Sequence, residues 1–157
     1  MEKVMLRGQN FCTTSGLLTA TGAETVHDTT VTINYVLNGK IATKTAITDG
    51  ATPTTDYVTG DAITLTASKA RTVVWGLISG GTVKVIAGPI VDWDGTAFNV
   101  PPDFPSIPDT FVPFAYQILK ASSAAGTITF GSSNWNATGF TNSIVNVAVL
   151  PDRPQTS

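Results

Sequence analysis

Residues that could perform chemistry are few in this chain of 157 residues, which has one histidine and one cysteine. His27 is followed by Asp28, and a carboxylate of this kind could orient an imidazole that acts as a general base. Adjacent residues of a strand point to opposite faces, however, so the two side chains would not meet. We therefore expect His27 to lie at the surface before the first strand. The lone Cys12 excludes an internal disulfide and a cysteine-rich zinc site.

The stretch "VDWDGTAF" is the nearest approach to a metal-binding motif, because Asp92, Asp94 and Gly95 resemble the start of a calcium loop. The last position of such a loop requires a glutamate, and here it is Asp103, with prolines just before it. We therefore predict a turn centred on Asp94 and Gly95, and no metal site.

Motifs for nucleophilic catalysis, phosphate binding, dinucleotide binding and helical zinc sites are all missing from the sequence. Two aspartates far apart in the chain could still converge as the carboxylate pair of a glycoside hydrolase, although nothing marks such a pair. We expect a protein that is not an enzyme, with no catalytic residues, no cofactor and no metal. A hydrolase with an unrecognised site is the alternative.

Charged residues make up 13% of the chain, against roughly 25% in an ordinary globular protein, and the net charge is −2. The nine lysines and arginines are scattered, so no cluster could displace counterions from a nucleic acid, and we expect none to bind. No apolar run approaches the roughly 20 residues of a membrane span, and none of signal-peptide length follows the N-terminal charges. We therefore expect no membrane association. A weakly charged polar surface suits packing against other proteins.

Abundant threonine and valine, with turn signals at short intervals, predict an all-β fold. We expect a single-domain β-sandwich or barrel built from antiparallel hairpins. In the clearest hairpin, Asn38 and Gly39 form a two-residue type I′ turn, which places Leu37 opposite Lys40.

A second hairpin is predicted to turn at Gly80 and Gly81, which places Trp75 opposite Ile86. Both of its strands are nearly continuous apolar runs, so we expect both in the centre of a sheet. The remaining predicted elements are a hairpin of residues 114–122 with 126–133, a polar loop at 48–61, a short strand at 62–67 and a last strand at 142–150.

Two segments are predicted to be extended arms. Residues 1–25 are weakly patterned and are interpreted as an N-terminal arm or edge strand ahead of a β domain at 26–157. Residues 99–114, the proline-rich segment, hold five of the nine prolines but also large apolar side chains that need burial, unlike a solvated linker. Because proline cannot donate to a sheet ladder, this segment should run extended along the subunit's own sheet and reach towards a neighbour. The residues predicted at a protein interface are Phe104, Ile107, Phe111 and Val112 of this segment, with Trp93 and Trp135 from two turn regions.

Several aromatic residues could form a platform on which a sugar ring stacks, namely Trp75, Trp93, Trp135, Tyr57 and Tyr116. Trp75 is flanked by apolar residues of a predicted strand, so we expect it in the core. Trp93 and Trp135 lie in turn regions and could be exposed. Burial in a core or interface is the expectation for this set, and a carbohydrate site is the alternative.

Four blocks of the chain, taken together, resemble a known group of viral proteins. The blocks are "VVWGLISGGTVKVIAGPI", "FPSIPDTFVPFAYQILKA", "TITFGSSNWNATG" and "LPDRPQ". They are similar to small proteins that tailed bacteriophages encode beside their capsid genes, which are taken as head decoration (cement) or head-fibre proteins. The resemblance spans residues 30 to 154 and includes no catalytic motif.

The resemblance implies a non-enzymatic virion protein that lies outside the major capsid protein and stabilises the shell. Its partners would be the major capsid protein and further copies of itself, most simply in a homotrimer. It would be made in the host cytoplasm and end on the capsid exterior. A head fibre, or a β module on the virion surface that binds a carbohydrate or receptor, is the alternative.

Overall fold

The computed structural model describes residues 10–14 and 17–155, in which the regular elements are strands and no helix occurs. The strands are β1 (Phe11–Cys12), β2 (Leu18–Thr19), β3 (Val26–Thr29), β4 (Ile33–Leu37), β5 (Lys40–Lys44), β6 (Ile47–Ala51), β7 (Thr64–Leu65), β8 (Lys69–Leu77), β9 (Val83–Asp92), β10 (Val112–Ala121), β11 (Ile128–Thr129) and β12 (Phe140–Asn146). Every pairing between these strands is antiparallel. The predicted all-β fold is confirmed.

A four-stranded sheet in the order β12-β10-β8-β9 lies at the centre of the described chain. Its two middle strands, β8 and β10, are buried along almost their whole length, which explains their nearly continuous apolar sequences. β9 is an edge strand, so the expectation that both strands of its hairpin are central is wrong for β9. Its second half contains Pro89, a residue that is disfavoured in a regular central strand because proline cannot donate to a sheet ladder.

Side chains of the four-stranded sheet alternate between two apolar clusters, one on each of its faces. Val73 and Trp75 point to the first face, where the larger cluster is completed by the small sheets β1-β4-β5, β2-β3-β6 and β11-β7. Val74 and Tyr116 point to the second face, where the covering residues come mainly from the proline-rich segment and from the chain after β12. The sheet is therefore the middle layer of the molecule, buried on both sides.

The hairpin of β4 and β5 has the predicted register, with Leu37 opposite Lys40. Asn38 and Gly39 have φ values of 51° and 75°, as a type I′ turn requires. Turn chemistry alone was enough to determine this pairing, because the two strands are joined by only two residues.

We predict that Gly39→Val lowers the free energy of unfolding by about 1–2 kcal/mol, because a β-branched residue resists a positive φ. A Cβ atom at Gly39 would meet no other atom within 4 Å, so the loss would come from backbone strain rather than from a clash. Urea denaturation measures it, and an unchanged midpoint would show that the turn tolerates a β-branched residue.

The second hairpin pairs one residue away from the predicted register, with Trp75 opposite Val85 rather than Ile86. The connection consists of the three residues 79–81 instead of two, because the N–H of Ile78 already donates to the carbonyl of Thr82. Three-residue connections are the next most common hairpin class, and two consecutive glycines fit either length.

The predicted hairpin of residues 114–122 with 126–133 is wrong. β10 pairs with β8 and β12, whereas β11 pairs with β7, more than 60 residues earlier in the chain. The chain between β10 and β12 instead crosses to the first face, where Phe130 and Trp135 fill the larger cluster. The predicted loop at 48–61 is also wrong at its start, because β6 (Ile47–Ala51) pairs with β3.

Residues 99–111 of the proline-rich segment pack on the subunit's own sheet, as expected. The ring of Phe104 meets that of Tyr116 edge-on, with centroids 5.0 Å apart. Phe111 is fully buried and its ring lies over Gly76 of β8, where a Cβ atom would overlap it. Glycine is therefore needed at this point for the segment to approach the sheet closely.

The expectation that proline keeps the proline-rich segment out of the sheet is wrong for its last three residues, which begin the central strand β10. Pro113 is accommodated because β12 pairs with β10 only from Ala115 onwards and a β-bulge interrupts the pairing with β8 at this point.

Within the predicted N-terminal arm, β1 (Phe11–Cys12) and β2 (Leu18–Thr19) are edge strands of two small sheets. Residues 1–9 and 15–16 lie outside the described part of the chain. The boundary at residue 25 stays a prediction.

Candidate binding surfaces

Three of the six residues predicted at a protein interface are buried within the subunit. Phe111 and Val112 have no exposed surface, and Trp135 is 4% exposed. This placement corrects the expectation for these three, because a side chain enclosed by its own core presents nothing to a partner. Phe104 and Ile107 are half-buried against the second face of the four-stranded sheet. The sixth residue, Trp93, lines a groove.

Trp93 follows β9 and lies beside an open groove of about 700 Å³, which we call the aromatic groove. A β-bridge pairs Trp93 with Phe98, and both half-buried rings line the groove. The chain reverses between them at Asp94 and Gly95, the predicted turn, where Gly95 has a φ of 103°. A turn centred on Asp94 and Gly95 would place Thr96 opposite Trp93, so the predicted turn did not identify Phe98, which the four-residue connection brings opposite Trp93.

The turn also holds a carboxylate in place. Oδ1 of Asp94 accepts hydrogen bonds of 2.7 Å from the backbone N–H groups of Ala97 and Thr96. These bonds lower the pKa of the exposed Asp94 carboxyl below its ordinary value. Asp94 is therefore ionised at neutral pH. Because Oδ1 accepts both bonds, Oδ2 is available to accept a hydrogen bond from another group.

Charged side chains surround the two rings of the aromatic groove. The ammonium nitrogen of Lys120 lies 5.9 Å from the centroid of the Trp93 ring and 5.3 Å from that of Phe98. A cation at this distance is attracted to the aromatic faces, and it ties both rings to β10. At the rim, Lys69 forms an ion pair with Asp92. Both partners are substantially exposed, so the pair contributes little to stability.

A second groove of about 530 Å³ continues from the aromatic groove along the exposed end of β9. Lys69, Asp92 and Asn99 line both grooves. Ile90 and Val100, which are 51% and 60% exposed, supply apolar surface along the second. Both volumes fall within the range of roughly 300–1,000 Å³ that is usual for ligand sites.

A different accessible surface lies on the β1-β4-β5 sheet. Cys12 and Tyr35 point from this sheet into the larger cluster, so the alternate residues point away from it. Phe11, Val36 and Ile41 are direct cross-strand neighbours and form an apolar row across all three strands. Ile41, the end of this row, is 83% exposed. Sequence reasoning missed Ile41, although the predicted register already places it opposite Val36.

We call this surface the outer face and define it by Phe11, Asn34, Val36, Ile41 and Thr43. None of these five side chains is charged. The two lysines of β5 alternate with Ile41 and Thr43 and so belong to the other side of the sheet, as predicted from the hairpin.

His27 is buried, which corrects the expectation of a surface histidine. It lies within β3 because β3 pairs with β6, and its ring centroid is 5.0 Å from that of Trp75. Neither ring nitrogen has a hydrogen-bond partner among the described residues. Burial lowers the pKa of His27; Asp28 and the nearby backbone of Gly50 oppose this shift, and Lys44 adds to it.

We predict that the protein loses stability as the pH falls through the ordinary histidine pKa of about 6.5. Because the pKa of His27 is lowered in the folded state, the unfolded chain binds the proton more readily. The free energy of unfolding is therefore highest above the ordinary pKa, where His27 is neutral in both states, and it falls as the pH drops below that value. Urea midpoints measured from about pH 7.5 to about pH 5.5 test this. His27→Leu should flatten the dependence, and an equal decline in wild type and variant would contradict the assignment to His27.

The remaining reactive groups are the Cys12 thiol and the acidic side chains. Burial raises the pKa of the Cys12 thiol to about 12, so the thiolate is not available at neutral pH. In residues 10–14 and 17–155, no three histidine, cysteine, aspartate or glutamate side chains are grouped so that they could hold a metal ion.

Comparison with known proteins does not extend these observations. The described part of the chain contains no helix long and apolar enough to cross a membrane. No family model, no curated protein and no solved structure matches the chain.

Proposed function

We propose that this protein is a non-enzymatic virion component that decorates a bacteriophage capsid by binding the major capsid protein. The observation that carries the proposal is the outer face, an uncharged sheet surface with an apolar row that ends at the 83%-exposed Ile41. Support also comes from the resemblance of four sequence blocks to head decoration proteins. The protein is made in the host cytoplasm and lies on the capsid exterior.

The composition of the outer face suits contact with protein. Burial of charged groups at an interface carries a large desolvation cost, and this face has none to bury. Full burial of a side chain such as Ile41 contributes roughly 1.5–3 kcal/mol. Asn34 and Thr43 beside it supply hydrogen-bonding groups that do not require a charged partner.

A contact of modest affinity is sufficient for stable binding to a capsid. The shell repeats the same binding site many times, and subunits that are joined to each other bind several sites at once, which multiplies the affinity. We therefore expect the protein to form a homotrimer, in which Phe104 and Ile107 of the proline-rich segment, half-buried in one subunit, lie near the contacts between copies.

Co-sedimentation tests the proposal. Purified protein is mixed with capsids that lack it, the capsids are pelleted, and their thermal melting is followed. We expect the protein to pellet with the capsids and to raise their melting temperature, and light scattering of the free protein to give the mass of a trimer. A protein that stays in the supernatant and leaves the capsid melting unchanged would refute the proposal.

A further inference from the structure

The aromatic groove lies on the opposite side of the molecule from the outer face. Phe98 packs against the cluster on the second face of the four-stranded sheet, whereas Tyr35 of the β1-β4-β5 sheet belongs to the cluster on the first. The groove also lies where β8 begins, while the β4-β5 turn lies near Ser79 and Gly80, beyond the other end of β8. A ligand in the groove would therefore not compete with a partner on the outer face.

The lining of the aromatic groove combines two kinds of group. Trp93 and Phe98 supply half-buried aromatic rings, and the partial negative charge on an aromatic face attracts the weakly positive C–H groups of a sugar ring. Asp94 and Asn99 are exposed at the same groove. A carboxylate accepts hydrogen bonds and an amide both accepts and donates them, so each of these side chains can bind a sugar hydroxyl group.

We propose that the aromatic groove binds a neutral oligosaccharide, with one pyranose ring against Trp93 and Phe98 and its hydroxyl groups bonded to Asp94 and Asn99. The continuation of the groove past Ile90 and Val100 accommodates further sugar units. The ligand is neutral because the groove holds no excess of either charge: Lys69 is paired with Asp92, and the carboxylate of Asp94 offsets the ammonium of Lys120. This proposal does not depend on the capsid role.

The site is held in its binding shape before a ligand arrives. Lys120 contacts both rings, and the Trp93–Phe98 bridge is reinforced by a hydrogen bond of 3.2 Å from the N–H of Asn99 to the carbonyl of Asp92. Little conformational entropy is therefore lost on binding, which matters for a shallow site with few contacts.

Calorimetric titration with four probes tests the proposal: maltotriose, cellotriose, chitotriose and, as the acidic counterpart, trigalacturonate. We expect at least one neutral trisaccharide to bind at millimolar concentration or below and to change the tryptophan fluorescence. Trp93→Ala should weaken that binding by about tenfold or more. Asn99→Ala, which changes an exposed polar side chain and leaves the core intact, should weaken it as well.

Ile41→Ala is the matched control, because Ile41 is exposed on the other side of the molecule, and it should bind the sugar like wild type. Failure of all three neutral probes would overturn the proposal, as would binding of trigalacturonate alone. Sugar binding that persists in both Trp93→Ala and Asn99→Ala would place the site elsewhere and overturn it too. None of these outcomes bears on capsid binding, so the two proposals fail independently.

Discussion

Replacement of Phe111 by alanine should lower the free energy of unfolding by about 3–5 kcal/mol, the usual loss for a large aromatic residue in a core. Phe111 is fully buried between the proline-rich segment and the second face of the four-stranded sheet, with its ring on Gly76 and its centroid 6.0 Å from that of Tyr57. Its removal leaves a cavity that the stiff, proline-bearing chain cannot close. Guanidinium denaturation followed by circular dichroism measures the loss.

Val100→Ala is the control in the same segment. Val100 is 60% exposed, so its replacement should stay within about 0.5 kcal/mol of wild type. If Phe111→Ala were no more costly than Val100→Ala, the proline-rich segment would not be part of the core.

Ile41→Asp should weaken capsid binding by about a hundredfold or more while the protein stays folded. Ile41 is 83% exposed, so a carboxylate at this position is fully hydrated in the free protein and costs little. At an apolar contact the same carboxylate would be buried without a partner, and its desolvation opposes binding. Co-sedimentation across a range of protein concentrations measures the change.

Ile90→Asp is the matched control, because it makes the same substitution at an isoleucine that is 51% exposed on β9. We expect this variant to bind capsids like wild type. Capsid binding that survives in Ile41→Asp and is lost in Ile90→Asp would move the contact from the outer face to the groove side of the molecule.

Local turn chemistry explains which parts of the fold were predictable. Asn38 and Gly39 select one turn type and one register, and the structure has both. The Gly80-Gly81 pair selects no single loop length, and the prediction was wrong by one residue. Likewise, Asp94 and Gly95 predicted a turn that exists, with its carboxylate bonded to the turn backbone.

Pairings between distant segments were not predictable in this way. β11 pairs with β7 rather than with its chain neighbour β10, because its apolar residues are needed in the cluster on the first face. A pairing between distant segments also explains the burial of His27. The short polar sequence around it suggested a surface position, but β3 pairs with β6 and the His27 ring packs against Trp75.

For the candidate sites, the sequence indicated residue types but not exposure. Trp93 and Trp135 both lie near turns, yet Trp135 is buried by Phe130, with ring centroids 5.3 Å apart, whereas Trp93 lines an open groove. The five aromatic residues considered for a sugar platform do not converge. Phe98, which was not among them, is the ring that Trp93 meets.

Electron cryomicroscopy of capsids with and without the protein tests the capsid role and the outer face together. We expect difference density on the exterior of the shell only when the protein is present, in trimers, with Phe11, Val36 and Ile41 towards the major capsid protein. The Trp93 turn should then point away from the shell. Absence of added density would contradict the proposed function. Density with the Trp93 turn against the shell and Ile41 facing solvent would contradict the proposed contact surface.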